Sequence, residues 1–92
     1  MIHIEGKVVD IMPETSGVGK SGRQWRERAA VINHVAHEQY PKNVVVAFKG
    51  EAVDTVNTLR VGDVVSCDIS IDAHEYRGKF FNEIKGFGLK KV

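Results

Sequence analysis

LRVGDVVSCDISIDAHEYRGKFFNEIKGFGL, residues 59–89, is the stretch whose reading decides the fold. Leu59-Arg-Val-Gly-Asp63 leads into the clearest strand of the chain, Asp63 to Asp72. There Val65, Cys67, Ile69 and Ile71 alternate with Val64, Ser66, Asp68, Ser70 and Asp72, which predicts one buried and one wet face. Ala73 to Gly78 reads as a basic, aromatic turn, Lys79 to Leu89 as the returning strand, and Lys90 to Val92 as a basic tail. In the returning strand Ile84 and Gly86 share parity with Phe80, so a core Ile84 would expose Phe81, Lys85 and Phe87.

Working outward, Ile2 to Met12 is strand-like, with Ile2, Ile4 and Val8 on one parity and Val9 and Ile11 on the other. The phase switch near Gly6 predicts a bulge or strong bend, as a first strand serving both sides of a barrel requires. Pro13 to Gly22, PETSGVGKSG, reads as a flexible loop. Gln24 to Val35 reads as a second strand whose two faces are both mixed, so which one is inside stays open. His34 to Asn43 is a polar turn containing Tyr40-Pro41, and Val44 to Lys49 is a short β-branched third strand. Gly50 to Arg60 carries Val53, Val56 and Leu59 or Arg60 at helical spacing and reads as a short amphipathic helix. The order β-β-β-α-β-β within 92 residues predicts an all-β chain with one short helix. It is the pattern of a five-stranded OB-fold barrel with the helix between strands 3 and 4. The competing architectures are another small β-barrel and a split sandwich.

A chain of this length makes one domain spanning residues 1–92, and it suits a small barrel better than a two-layer enzyme with a deep cleft. With 42% hydrophobic and 27% charged residues the composition is that of an ordinary globular chain. The formal net charge of +1 points to no partner, but Arg23, Arg26 and Arg28 cluster, as do Arg77, Lys79 and Lys85. Such clusters are either a basic stripe or scattered solvated charge. The single cysteine, Cys67, excludes an intramolecular disulfide and a four-cysteine zinc site within one chain. No apolar run approaches membrane-spanning length and no signal-peptide core is visible, so a cytoplasmic location is expected.

Several motifs carry less than they promise. Gly19-Lys20-Ser21 resembles the end of a phosphate-binding loop, but the position of the required first glycine is Glu14, and a β-rich segment follows instead of a helix. His34-Val-Ala-His37 lacks a helix to align its two imidazoles and has no cysteine nearby. No nucleophile context such as G-x-S-x-G occurs, and Cys67 lies on the apolar parity of its strand, where an inert thiol is expected. A non-enzymatic protein without cofactor or metal follows. The stronger signal is aromatic and basic together: Trp25 beside Arg23, Arg26 and Arg28, and Tyr76-Arg-Gly-Lys-Phe-Phe81. Cations that track phosphates and rings that stack on unpaired bases are what a single strand of nucleic acid requires. The plainer reading is that Trp25 and one of the phenylalanines fill the core.

Residues 52–65, AVDTVNTLRVGDVV, followed by Phe81-Asn-Glu-Ile-Lys-Gly-Phe87, resemble the second half of bacterial single-stranded DNA-binding proteins, with Asn82 where a Thr is usual. Nearly the whole chain is also similar to a family of short bacterial proteins of unknown function. That likeness rests on Glu5-Gly-Lys7, the loop from Pro13 to Gly22, Trp25, Tyr40-Pro41, Gly62-Asp63 and Tyr76-Arg-Gly-Lys-Phe80 in this order. The resemblance implies an OB fold, self-association and binding of single-stranded nucleic acid. The chain does not show the acidic, Gly- and Pro-rich tail through which typical single-stranded DNA-binding proteins recruit partners, so recruitment by that route is not expected.

The resulting expectation is low-specificity binding of single-stranded DNA, or of RNA, in an OB groove. Phosphate contacts are expected from Arg23, Arg26, Arg28, Lys79 and Lys85, and base stacking from Trp25, Tyr76 and Phe81. Lys20 in the first loop and Arg77 in the last would line the groove. The edges of a partly closed barrel predict a homodimer or homotetramer. The alternative is a protein-interaction OB module that docks a peptide or subunit, which the near-neutral charge and the interleaved Glu27 and Glu83 favour. An oligosaccharide-binding module would use the same aromatics.

Overall fold

The computed structural model of the chain describes residues 1–34 and 42–92. Its elements are β1 (Ile2–Ile11), β2 (Thr15–Val18), β3 (Gln24–Asn33), β4 (Asn43–Lys49), α1 (Ala52–Asn57), β5 (Val64–Tyr76) and β6 (Lys79–Lys91). The strands form one sheet in the order β1-β5-β6-β4-β3-β2, and an additional β1–β3 pairing closes it into a barrel. The closing contact on the other side is a single parallel bridge, Ala47 to Lys85, between β4 and β6. This is the expected barrel, with α1 between β4 and β5, the third and fourth of the five strands expected. The loop from Pro13 to Gly22 contains one more strand than expected, because Thr15–Val18 pairs with the outer half of β3.

β1 serves two neighbours in succession. Ile2 to Lys7 pair with β5, and Lys7 to Ile11 pair with β3. The phase switch is real, but the extra residue is Val9, where the β1–β3 register slips, and not Gly6. Gly6 instead permits a close approach of β1 and β3. A Cβ there would come within 2.8 Å of the Asn33 carbonyl carbon, so the two strands can meet only where that atom is absent.

The interior holds Val8, Ala30, Ile32, Val46, Phe48, Val65, Cys67 and Ile69. α1 lies against β3, β4 and β6, and its Val53 and Val56, with Leu59 just beyond, plug one end of the barrel. The Arg60–Asp63 turn is stitched to β1. The Asp63 carboxylate accepts from the Arg60 N–H at 2.9 Å, Gly62 donates to Val8 O, and Val8 donates to Asp63 O, both at 2.8 Å. The Arg60 backbone donor, helped by the Lys91 charge, holds Asp63 below the usual carboxylate range.

β5 and β6 outrun the barrel. Every residue from Ile71 to Asn82 is exposed, so the hairpin projects as an arm. The turn is only Arg77-Gly78, both at positive φ (52° and 80°), the mirror-image turn that suits the twist of a two-stranded ribbon. The expectation of a turn from Ala73 to Gly78 is corrected accordingly, as is the basic tail: β6 continues to Lys91, pairing with Val65. Ile71, expected inside from its parity, is 56% exposed because it already lies beyond the barrel rim. Near the other end of β6 a register slip opposite Cys67 is absorbed by Gly88 at φ 62°.

Gly86 faces inward beneath the closing bridge, where an added Cβ would meet the Phe48 ring and lie 2.6 Å from Val46 Cγ1. Gly86→Ala should therefore destabilise the fold by about 1–3 kcal/mol, the usual cost of overpacking, measured as a lower urea midpoint. Burial pushes the Cys67 thiol from its ordinary 9.0 up to about 11. The raised value means the folded state keeps its proton longer than the unfolded chain does. The stability this confers is complete below about pH 9 and is lost as pH rises toward 11. At pH 8 the native thiol should be inert to a disulfide reagent such as Ellman's, and react promptly once urea unfolds the chain.

Candidate functional site

Because Ala30 and Ile32 point inward, the outward parity of β3 carries Trp25, Glu27, Ala29 and Val31. In β4, Val46 and Phe48 point inward, leaving Val45, Ala47 and Lys49 outside. Register joins these faces: Glu27 lies opposite Lys49, Ala29 opposite Ala47, and Ala47 opposite Lys85. Along the arm, Ser70 faces Lys85, Asp72 faces Glu83, His74 faces Phe81 and Tyr76 faces Lys79. Cross-strand partners share a face, so Tyr76, Lys79, Phe81 and Lys85 continue the outer surface that begins at Trp25.

Trp25 is half exposed and lies opposite Gly17 of β2. A Cβ on Gly17 would stand 2.8 Å from Trp25 Cζ2, so the indole packs against the bare backbone of β2. A cleft of about 870 Å³ opens beside it, lined by Glu14, Ser16, Gly17, Val18, Gln24, Trp25, Arg26, Glu27, Lys49, Gly50 and Glu51.

A chain of facing polar and charged side chains crosses the middle of the face. His74 Nδ1 lies 3.5 Å from Glu83 Oε2, Lys49 Nζ lies 3.5 Å from Glu83 Oε1, and the same ammonium lies 3.9 Å from Glu27 Oε2. These are partly exposed pairs at long range, each individually weak and readily exchanged for another partner.

The expected cations separate into two groups. Arg26 makes a bidentate pair with Asp54 of α1 at 2.8 and 2.9 Å, and that guanidinium holds Asp54 below the usual carboxylate range. Arg28 donates from Nε to Met12 O at 2.8 Å and from a terminal nitrogen to Asn57 Oδ1 at 2.7 Å. Both share the parity of Ala30 and Ile32, so they tie β3 to the helix side and do not project from the outer face. Lys20 and Arg23 are exposed in the connection between β2 and β3, and Lys79 and Lys85 lie along β6. Among the described residues no carboxylate pairs with any of these four. Arg77 lies over the Tyr76 ring, 5.2 Å from its centroid.

Sequence reading did not single out Lys49 or Gly17. The alternation in Val44–Lys49 contained the signal for Lys49, since a buried Phe48 forces its neighbour outward. The role of Gly17 depends on β2, which resembled a plain loop. Phe81 is 50% exposed, in keeping with the parity argument, but Phe80 is 69% exposed as well, because the arm has no interior. His37, Tyr40 and Pro41 lie outside the described residues. Among the described residues no group of three or more His, Cys, Asp or Glu side chains could hold a metal, and no helix is long and apolar enough to cross a membrane.

Residues 3–90 match the profile of a family described as a domain of unknown function, DUF3127. No curated protein matches by sequence. Among solved structures, the chain is similar to the second OB-fold domain of replication protein A from Methanococcus maripaludis, with TM-score 0.70, 16% identity, and coverage of 98% of this chain and 81% of that one. It is similar to the mitochondrial single-stranded DNA-binding protein of S. cerevisiae, with TM-score 0.64, 8% identity, and coverage of 99% and 92%. The small single-stranded DNA-binding protein of Streptomyces coelicolor is also similar, with TM-score 0.55, 12% identity, and coverage of 99% and 92%. At these identities the likeness establishes the OB fold.

The contact between Gly17 and Trp25 is directly testable. Gly17→Val should push the indole off β2 into solvent, shifting the emission of this single tryptophan to longer wavelength while the far-ultraviolet circular dichroism is retained.

Proposed function

The chain belongs to the DUF3127 family, and from that premise we propose that it is a non-enzymatic OB-fold protein that binds single-stranded DNA across the outer face of β3, β4 and β6. The observation that carries this reading is the continuity of that face. A half-exposed tryptophan at one end and Tyr76 and Phe81 at the other are joined by register through Lys49, Ala47 and Lys85. Unpaired bases need flat surfaces at intervals and a polar strip between them. The single-stranded DNA-binding proteins among the similar structures support the reading by analogy of fold.

The phosphate contacts in this proposal come from Lys20, Arg23, Lys79 and Lys85, with Arg77 reaching from the tip of the arm. Arg26 and Arg28 already have protein acceptors and keep α1 against β3. Lys49 is held between Glu27 and Glu83, so a phosphate recruits it only by displacing a carboxylate. Stacking supplies much of the affinity, and stacking alone confers little sequence preference, because every base offers a π-face. Association of copies into a homodimer or homotetramer belongs to the same proposal, since one small face accommodates only a short length of strand.

A protein-docking role has its own supporting observation. Ile71 and Phe80, 56% and 69% exposed, lie on the opposite face of the arm from Phe81 and have no part in the proposed groove. Salt separates the two readings. If Lys20, Arg23, Lys79 and Lys85 each engage one phosphate, the logarithm of DNA affinity should fall against the logarithm of salt with a slope of about −3. Docking on apolar arm residues would hardly respond.

Trp25→Ala and Phe81→Ala should each weaken binding of an oligo-dT by about 1–3 kcal/mol in fluorescence anisotropy, with the fold intact. Wild-type affinity in a folded double variant would refute the site.

A further inference from the structure

The cleft beside Trp25 has a composition that non-specific strand binding does not require. We propose that it is a base-selective subsite that takes guanine, with Trp25 as the stacking surface and the Glu27 carboxylate as the hydrogen-bond acceptor. This inference rests on the nucleic-acid reading above and adds a preference to it.

Glu27 lies on the same face of the same strand as Trp25, two residues on, roughly 7 Å along β3. A base stacked on the indole therefore directs an edge toward the carboxylate. The cleft, at about 870 Å³, is roomy enough for a purine. Its lining carries the carboxylates Glu14, Glu27 and Glu51 against two cations, Arg26 and Lys49, which already face Asp54 and the Glu27–Glu83 pair, so the recess offers more to a group that donates hydrogen bonds than to a phosphate. Backbone phosphates belong outside it, on Lys85 and Lys79 and on the loop cations. The cleft is left to the base.

An ionised carboxylate is acceptor-only and planar, with two oxygens side by side. The guanine edge offers two parallel donors, N1–H and the 2-amino group, which match that geometry. Adenine and cytosine each offer an amino donor beside a ring-nitrogen acceptor, so one carboxylate oxygen meets a lone pair. Thymine flanks its single N3–H with two carbonyls, and fares worse still. Lys49, 3.9 Å from Glu27 Oε2, orients the carboxylate without occupying it through a close hydrogen bond. It also neutralises part of the charge that would otherwise repel an approaching strand.

The test compares an oligo-dT of about 15 nucleotides with strands of equal length in which isolated thymidines are replaced by guanosine or by inosine, which lacks the 2-amino group. Isolated replacements avoid guanine self-assembly. By anisotropy, the guanosine strand should bind wild-type protein about 5-fold to 100-fold more tightly than oligo-dT, with inosine between them. Glu27→Gln should bring the guanosine-to-thymidine affinity ratio close to one. Equal affinities for all three strands in the wild type would overturn the subsite and leave the single-strand reading standing. A preference that survives Glu27→Gln would likewise overturn it. Binding to none of the strands would overturn both.

Discussion

The architecture depends on how closely β6 can approach β4. Only one bridge, Ala47 to Lys85, links them, and directly beneath it the Phe48 ring fills the space that a side chain at position 86 would take. Gly86 is therefore the condition for closure, and Phe48, fully buried, fills the centre of the core that closure creates. Closing the barrel there has a consequence on the outside. It brings Lys85 and the base of the arm alongside Ala47 and Lys49, so surfaces from β3, β4 and β6 merge into one. Residues distant in sequence, Trp25 and Phe81, thereby become two ends of the same face.

That face is not simply basic. Its middle is an alternating series of imidazole, carboxylate, ammonium and carboxylate, and the cleft at the Trp25 end sets Glu14, Glu27 and Glu51 beside Arg26 and Lys49. A chain of near-zero net charge can engage a polyanion only if charge is sorted locally. Among the described residues, Lys20 and Arg23 at the loop and Lys79 and Lys85 along β6 have no carboxylate partner, whereas Arg26 and Arg28 are committed to holding the helix. The same sorting gives the cleft its distinct chemistry. In the proposal above, the aromatic recess receives a base and the lysines of β6 receive phosphates.

Much of the fold was legible from residues 59–89, because alternation in β5 is clean and the turn chemistry around Gly62-Asp63 and Arg77-Gly78 is local. The corrections concern features that local pattern does not encode. β2 is short and glycine-containing, and is a strand only because β3 extends far enough to pair with it. Ile71 obeys the alternation yet lies outside, because parity says which side a residue faces and not how far the barrel reaches. The bulge at Val9 was displaced from the expected position because Gly6 marked a tight interstrand contact instead. For the candidate site, aromatic and basic residue types pointed to β3 and to the arm, but the two faces of β3 were equally mixed. Only packing distinguished Trp25 and Glu27, which face out, from Arg26 and Arg28, which face the helix.

Whether the outer face of β3, β4 and β6 receives the strand is tested most directly by nuclear magnetic resonance, mapping backbone amide shifts as oligo-dT is added to isotope-labelled protein. The perturbed amides should lie on that face, from Trp25 and Glu27 through Ala47 and Lys49 to Lys85 and Phe81, while the amides of Ile2 to Glu5 on the far edge of β1 stay still. Perturbations centred on Ile2 to Glu5 or on the Ile71–Phe80 side of the arm, or none at all at saturating oligonucleotide, would contradict it.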